Sequence, residues 1–329
     1  MTATPEQSGE LTGALSGALA AAPSEQALIG LLDRAAFGPG WAKKRPSIYP
    51  EPRTQFVPAH WRYAEGRAAL DAARAFVSTE LAERRNLIMI NPHAGNDYGT
   101  ARTLVAAYQL VRGGEQARSH RHVPNALRLV LDAAPETYTI VDGARVPMQP
   151  GDVLLTPNWH WHGHSNESPA DAFWIDFLDV PLIHLLEPMF FELHPDWIEA
   201  GGPPAPDSPF RFAWSDTAPA LRARPEERPG ERWLQLGPPQ MSTISLALRN
   251  LAPGTRLADP RTTESRIYAV IEGAGELTCG DRTFAWTRGD VLVVPGWQAA
   301  AWTAAQDSTL LCVSDRVLLE TLGLLRVEA

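Results

Sequence analysis

The sequence predicts a mainly β protein, a duplicated small β-barrel preceded by a helical arm, and three observations predict it. From about Arg85, short apolar runs (NLIMINP, TLVAAYQLV, ALRLVLDA, TYTIVDG, DVLLTP, AFWIDFLD) alternate with turn residues at roughly 8–12-residue intervals, the rhythm of a sandwich or barrel. A second series of the same kind (STISLALRNL, RIYAVIEG, GELTCG, RTFAW, DVLVVP, STLLCVSD) follows a stretch rich in Pro, Gly and charge. The two series also repeat one another. Gly114 and the run Gly151-Asp152 to Pro157 in the first correspond to Gly254 and the run Gly289-Asp290 to Pro295 in the second, the glycines lying 37 and 35 residues apart.

Taken in order, residues 1–85 read as an N-terminal helical arm. EQALIGLLDRAAF and EGRAALDAARAFVSTELAERR carry apolar residues at helical spacing, separated by the Pro-rich RPSIYPEPRTQFVP. Residues 86–195 read as the first barrel, 196–236 (with GGPPAPDSPF and RPEERPGER) as a linker, and 237–329 as the second barrel.

Composition bounds the function. With 44% hydrophobic and 20% charged residues, the 329-residue chain is globular. A net charge of -9, with Arg mixed among Glu, argues against nucleic acid as a partner. Cys279 and Cys312 are too few for a disulfide framework or a thiolate metal site, and suit a reducing cytoplasm. The N-terminal stretch lacks a basic region before its Ala-rich run, and no run reaches the ~20 apolar residues of a membrane span. A cytoplasmic protein with no membrane partner is expected.

Five of the nine histidines lie in SHRH and WHWHGHSN. His120 and His122, two apart on a strand, point to one face, as do His160, His162 and His164 on another segment. Pairing those strands converges neutral imidazoles on one ion, and three nitrogen ligands leave coordination positions open. A lone His-x-His pair is more often an ordinary surface or packed feature; two such clusters on repeated strands favour a metal.

These segments resemble the cupin motifs. GEQARSHRH matches G-x5-H-x-H through Gly114, His120 and His122; GDVLLTPNWHWHGHSN resembles G-x5-P-x-G-x2-H-x3-N through Gly151, Pro157, His162 and Asn166. Trp159 stands where the motif has glycine, and Ala126 and Leu127 stand where a glutamate ligand is usual. Within the cupins, ARSHRHVPNALRLVL, YTIVDGARVPMQPGDVLLTPNWHWHGHSN, FWIDFLDVPLI, HWRY and LAERRNLIMINP are similar to the gentisate 1,2-dioxygenase family, with its salicylate and hydroxynaphthoate relatives. The resemblance implies a bicupin and selects His120, His122 and His162 as metal ligands over His160 and His164. It implies Fe2+ as cofactor, a homotetramer, and insertion of O2 between the carboxyl- and hydroxyl-bearing carbons of a salicylate-type acid. In the second barrel, Pro260, Thr262 and Ala300 occupy the ligand positions on this alignment, so one metal per chain is expected.

The resemblance also points to a binding and catalytic set. Arg128, in an apolar strand, can clamp a carboxylate bidentately. Arg84 and Arg85 are further candidates for substrate binding, Arg84 preferred. His164 is placed to bond the substrate phenolate or an oxygen species, with Gln109 and Asp176 as supporting groups; an unpartnered Asp176 inside FWIDFLD would be costly. His60, His93, His184 and His194 read as structural, and His160 as a cover over the site. Where the family has a TLWAG-like segment, this chain has Thr103-Leu104-Val105-Ala106-Ala107. Val105 in place of Trp leaves room for a ring substituent, and Ala107 in place of Gly trims another edge. A substituted salicylate such as 5-nitrosalicylate is expected, with gentisate second. A non-catalytic bicupin would need no three-His cluster, a cupin isomerase would keep the glutamate, and a regulator would need a basic recognition helix.

Overall fold

Most of the apolar runs become strands covered on both faces, which explains why they read as continuous rather than alternating. The computed structural model describes residues 15–42, 47–78, 84–237 and 241–328. The parts of the expected arm at 1–14, 43–46 and 79–83 lie outside the described residues. Two units are distinguished, Met1–Pro52 and Arg53–Ala329. In the first, α1 (Glu25–Arg34) is capped by Ser24, whose Oγ accepts from the Ala27 N–H at 3.2 Å, and buries no residue.

The second unit holds both barrels. It opens with β1 (Ala59–Trp61) and α2 (Tyr63–Ala73), followed by β2 (Arg85–Ile88), β3 (Val105–Val111), β4 (Gln116–His122) and β5 (Ala126–Asp132). β6 (Thr137–Val141), β7 (Ala144–Pro147), β8 (Val153–Thr156), β9 (His162–Asn166) and β10 (Ala172–Leu178) complete the main series of the first barrel. Next come α3 (Val180–Leu186), β11 (Phe191–Leu193), β12 (Arg211–Phe212) and α4 (Trp214–Arg222). The second barrel comprises β13 (Glu231–Gln235), β14 (Ser245–Leu251), β15 (Arg256–Asp259), β16 (Arg266–Glu272), β17 (Ala274–Cys279), β18 (Arg282–Thr287), β19 (Val291–Val294), β20 (Ala300–Ala304) and β21 (Ser308–Ser314), before α5 (Arg316–Thr321).

The sheet orders repeat. β12-β8-β5-β10-β3-β2 faces β11-β4-β9-β6-β7 in the first barrel; β1-β19-β16-β21-β14-β13 faces β15-β20-β17-β18 in the second. One core cluster joins the outer faces of the two long sheets, with Leu104, Leu110, Leu129 and Ile175 beside Ile267, Ala269, Leu311 and Val313. The opposite faces of those sheets line the barrel interiors. The fold is thus a bicupin, mainly β, and no described helix is long and apolar enough to cross a membrane.

Two expectations need correction. Residues 59–61, expected in the helical arm, form β1, which pairs with β19 of the second barrel (His60 opposite Leu292). The expected linker 196–236 contains β12, α4 and β13, with β12 paired to β8 of the first barrel (Arg211 opposite Leu154). The reason is one repeated device. Asp152 accepts from the Trp214 N–H at 2.8 Å and from Arg211 Nε at 2.7 Å; Asp290 accepts from the Tyr63 N–H at 2.8 Å and lies 2.9 Å from His60 Nε2. Each Gly-Asp turn therefore docks a short strand and the start of a helix, and the strand-helix that precedes each barrel in sequence sits on the other barrel. Gly151 and Gly289 take positive φ (88° and 84°), and a Cβ there would come within 2.5 Å of Trp214 and Tyr63 respectively.

Removing either carboxylate leaves the Trp214 or Tyr63 N–H without its acceptor and takes a partner from Arg211 or His60. Asp152→Ala and Asp290→Ala are each expected to lower unfolding free energy by about 3 kcal/mol, read from urea midpoints; a loss below 1 kcal/mol for both would contradict this docking role.

Candidate metal centre and active site

The ligand strands meet because β4 and β9 are antiparallel neighbours, with His120 directly opposite His162. The candidate ligand atoms of His120, His122 and His162 all lie within 4.8 Å of one another. Each imidazole uses Nδ1 on a backbone carbonyl: Arg118 O at 3.1 Å, Pro124 O at 2.8 Å and His160 O at 3.0 Å. A carbonyl can only accept, so Nδ1 carries the proton in all three rings and Nε2 keeps its lone pair. Burial holds the rings neutral, pushing His120 and His122 down to about 4 and His162 well below the usual range; neighbouring positive charge acts in the same direction. Three neutral, pre-oriented nitrogen donors fit a divalent transition metal. His160 is not brought in: its ring is part-exposed and bonds Asp142.

The wall facing the triad is the inner face of β3, β10 and β5. Ala107 lies opposite Asp176, which lies opposite Arg128; Val105 lies opposite Leu178, and Gln109 opposite Trp174. Val105 and Ala107 are buried there, so both departures from the family pattern lie on this wall. Arg128 is 1% exposed. Burial pulls its pKa down to about 10, so it stays a cation at neutral pH. Its Nη1 lies 2.7 and 3.0 Å from the two ring nitrogens of His164 and donates to Thr139 Oγ1 at 3.2 Å. A guanidinium has no lone pair to offer, so it meets an unprotonated nitrogen of a neutral His164, which burial and Arg128 hold far below the usual histidine range. Asp176 sits 3.5 Å from Arg128 Nε and 3.6 Å from Arg84 Nη2, while Arg84 Nε donates to Gln109 Oε1 at 3.2 Å.

Arg84, Gln109, Arg128, His164 and Asp176 thus form one connected group. Arg85 does not join it. Opposite Leu110, it falls on the other face of the sheet, where Glu115 takes its guanidinium through two bonds of 2.7 and 3.0 Å.

Two contributors escaped the sequence reading. Trp174 Nε1 donates to Asp176 Oδ1 at 2.9 Å, and Thr139, fully buried, spends its own proton on Gly163 O at 2.9 Å while accepting from Arg128. Trp174 is two residues before Asp176 and so on its face, a signal the sequence does contain. Thr139 could be found only from the pairing of β6 with β9, which sets it opposite His164.

Trp159, at the motif glycine, has φ of 65°, the backbone conformation a glycine would supply, and Trp297 repeats it at 62° in the second barrel. The Trp159 N–H bonds the His122 carbonyl at 3.0 Å. Arg121 stacks on both Trp159 and Trp161, 4.6 Å from each ring, and is held by Glu192 of β11. Packing therefore holds a bulky residue in left-handed backbone beside a ligand.

The second barrel requires one correction. In β4 a bulge inserts a residue between Ala117 and His120, whereas β15 pairs regularly, with Asp259 opposite Ala300. The counterpart of His120 is therefore Asp259, not Pro260. Its carboxylate is committed: Arg249 reaches both oxygens at 2.9 and 3.0 Å, Arg228 donates at 2.6 Å and Trp302 Nε1 at 2.9 Å. Buried cations and indoles fill the interior, and among the described residues the His120–His122–His162 group is the only cluster arranged to hold a metal.

Comparison with known proteins agrees with this geometry. Residues 107–178 match the cupin domain family. The chain is 32% identical to a 5-aminosalicylate 1,2-dioxygenase of Comamonas sp, covering 90% of this chain and 88% of that protein. It is 31% identical to gentisate 1,2 dioxygenase 1 of Aquipseudomonas alcaligenes, covering 88% and 91%. Its fold superposes on a salicylate 1,2-dioxygenase from Pseudoaminobacter salicylatoxidans, in adducts with gentisate, with a TM-score of 0.87, 26% identity and coverage of 94% and 96%. The chain belongs to the gentisate and salicylate 1,2-dioxygenase family and is a ring-cleaving dioxygenase.

Proposed function

We propose that the metal is Fe2+ and that the substrate is a salicylate carrying a ring substituent other than the 5-hydroxyl of gentisate, 5-nitrosalicylate being the representative case. The observation that carries the reading is the buried Arg128 cation beside a neutral His164, opposite three imidazoles, in a barrel whose wall has Val105 and Ala107. Three nitrogen donors with open positions suit iron(II), although the common iron pattern has a carboxylate as third ligand. When bound, iron supplies a cation for the adjacent carboxylate and hydroxyl oxygens and the redox chemistry that brings O2 to the ring.

The chain's residues do the rest. Arg128 balances negative charge in a site from which water is excluded, where a charge pair is worth far more than at the surface. His164, kept unprotonated by burial and by Arg128, has a nitrogen lone pair for a phenol hydrogen when Arg128 turns to the carboxylate. Asp176, fixed by Trp174, and Gln109 orient Arg84 toward the same interior. Val105 and Ala107 set the width of the wall against the ring. The 5-aminosalicylate 1,2-dioxygenase among the relatives supports a 5-substituted ring. A 5-nitrosalicylic acid 1,2-dioxygenase of Bradyrhizobium sp, 26% identical over 41% of this chain, is consistent with it. Gentisate is the second reading, favoured by the gentisate dioxygenase relatives.

Oxygen uptake by the anaerobically iron-loaded protein with 5-nitrosalicylate, salicylate and gentisate is expected to be fastest with the first; a strong preference for gentisate would sink the substrate assignment. Val105→Trp is expected to lower kcat/KM for the 5-substituted acid at least roughly tenfold relative to unsubstituted salicylate. His162→Ala should lose both iron and turnover while His160→Ala keeps iron, by metal analysis after gel filtration. Arg128→Met should retain iron but lose about 10–100-fold in kcat/KM, the worth of one charged hydrogen-bonding contact.

A further inference from the structure

The second barrel has a cleft of about 370 Å³ at the end that corresponds to the substrate end of the first. The strand registers make the correspondence explicit. Ala126 and Val105 both lie opposite Leu178 in the first barrel; Arg266 and Ser245 both lie opposite Ser314 in the second. Three apolar positions at one mouth are thus an arginine and two serines at the other, and all three line the cleft, with Trp233 and Ala247 as apolar wall.

Arg266 is 8% exposed, and among the described residues its Nε and Nη2 have no hydrogen-bond partner and are closed to solvent in this conformation, so the side chain must turn toward the cleft to use them. Several buried arginines leave one donor unpaired, but among the described residues Arg266 is the one with two, and each unpaired donor costs free energy. Its nearest carboxylates do not satisfy it. Asp259 is 3.8 Å away and already accepts from Arg249, Arg228 and Trp302; Glu264 is 3.7 Å away, beyond hydrogen-bond reach. Arg316 and Arg224 add positive charge at the rim, against Glu227.

We propose that the mouth of the second barrel is a metal-independent binding site for a small organic carboxylate, received by Arg266 with Ser314 and Ser245 and packed against Trp233. The planar fork of a guanidinium matches a carboxylate with two parallel bonds. The volume suits a one-ring acid. The site stands on this geometry and does not depend on which substrate or metal the first barrel takes.

The test is 19F NMR of the iron-loaded protein, without oxygen, titrated with 4-fluorobenzoate. The expected result is a bound resonance that iron does not broaden, and that Arg266→Met weakens at least tenfold while leaving oxygen uptake with the substrate unchanged. Ser314→Leu, which restores the first barrel's residue, should weaken the same resonance, so the outcome does not rest on one variant. Retention of that resonance in both variants, or its absence from the unaltered protein, would overturn the proposal. So would its displacement by inorganic phosphate at lower concentration than by unlabelled benzoate, since the site would then select anions of another class.

Discussion

The long sheet of the first barrel is buried on both faces, and that constraint shapes everything on it. One face, with Leu104, Leu110, Leu129 and Ile175, is apolar because it meets the second barrel's sheet. The other cannot reach bulk water either, so each polar residue on it must find its partner inside the barrel. Gln109, Arg128 and Asp176 do so through one another, Arg84, Trp174, Thr139 and His164. The same low-polarity surroundings that force this pairing keep four histidines neutral. The neutrality of the triad and the buried positive charge beside it thus have one cause, since low polarity disfavours a charged imidazole while a guanidinium keeps its charge.

The two barrels show what the same scaffold becomes with different interior residues. Where the first has His120, His162, His164 and Gln109, the second has Asp259, Ala300, Trp302 and Arg249. A fixed cation, the Arg249 guanidinium, lies against Asp259 and Glu231 in place of a metal ion's charge. Such a buried pair is weak evidence for added stability, yet it commits the groups that might otherwise coordinate an ion. Both barrels retain a tryptophan in left-handed backbone after the proline, so this feature belongs to the scaffold rather than to metal binding.

The strand-helix exchange makes the pair of barrels one folding unit. Because β1 and α2 lie on the second barrel while β12 and α4 lie on the first, each Gly-Asp turn depends on a segment that precedes the other barrel. His162 of the triad follows β8, the strand that β12 covers, so the half with the candidate metal centre is supported by residues that appear in the sequence to belong to neither half.

By itself the sequence determined the duplication, the three histidines that come together, the unusual segment at Val105 and Ala107, and the family. These are local: two-residue spacing fixes the face of a strand, and the Gly-Asp turns recur at matching distances. The tertiary structure alone decided matters of pairing across the chain. It separated Arg84, near Gln109 and Asp176, from Arg85, turned to Glu115, although adjacent residues on a strand always face opposite ways and the sequence could not say which way. It moved the counterpart of His120 from Pro260 to Asp259, because a bulge shifts register without altering composition. It also turned an apparent linker into β12, α4 and β13, since two- to nine-residue elements are too short to carry a periodic signal and are held by the surface they dock on.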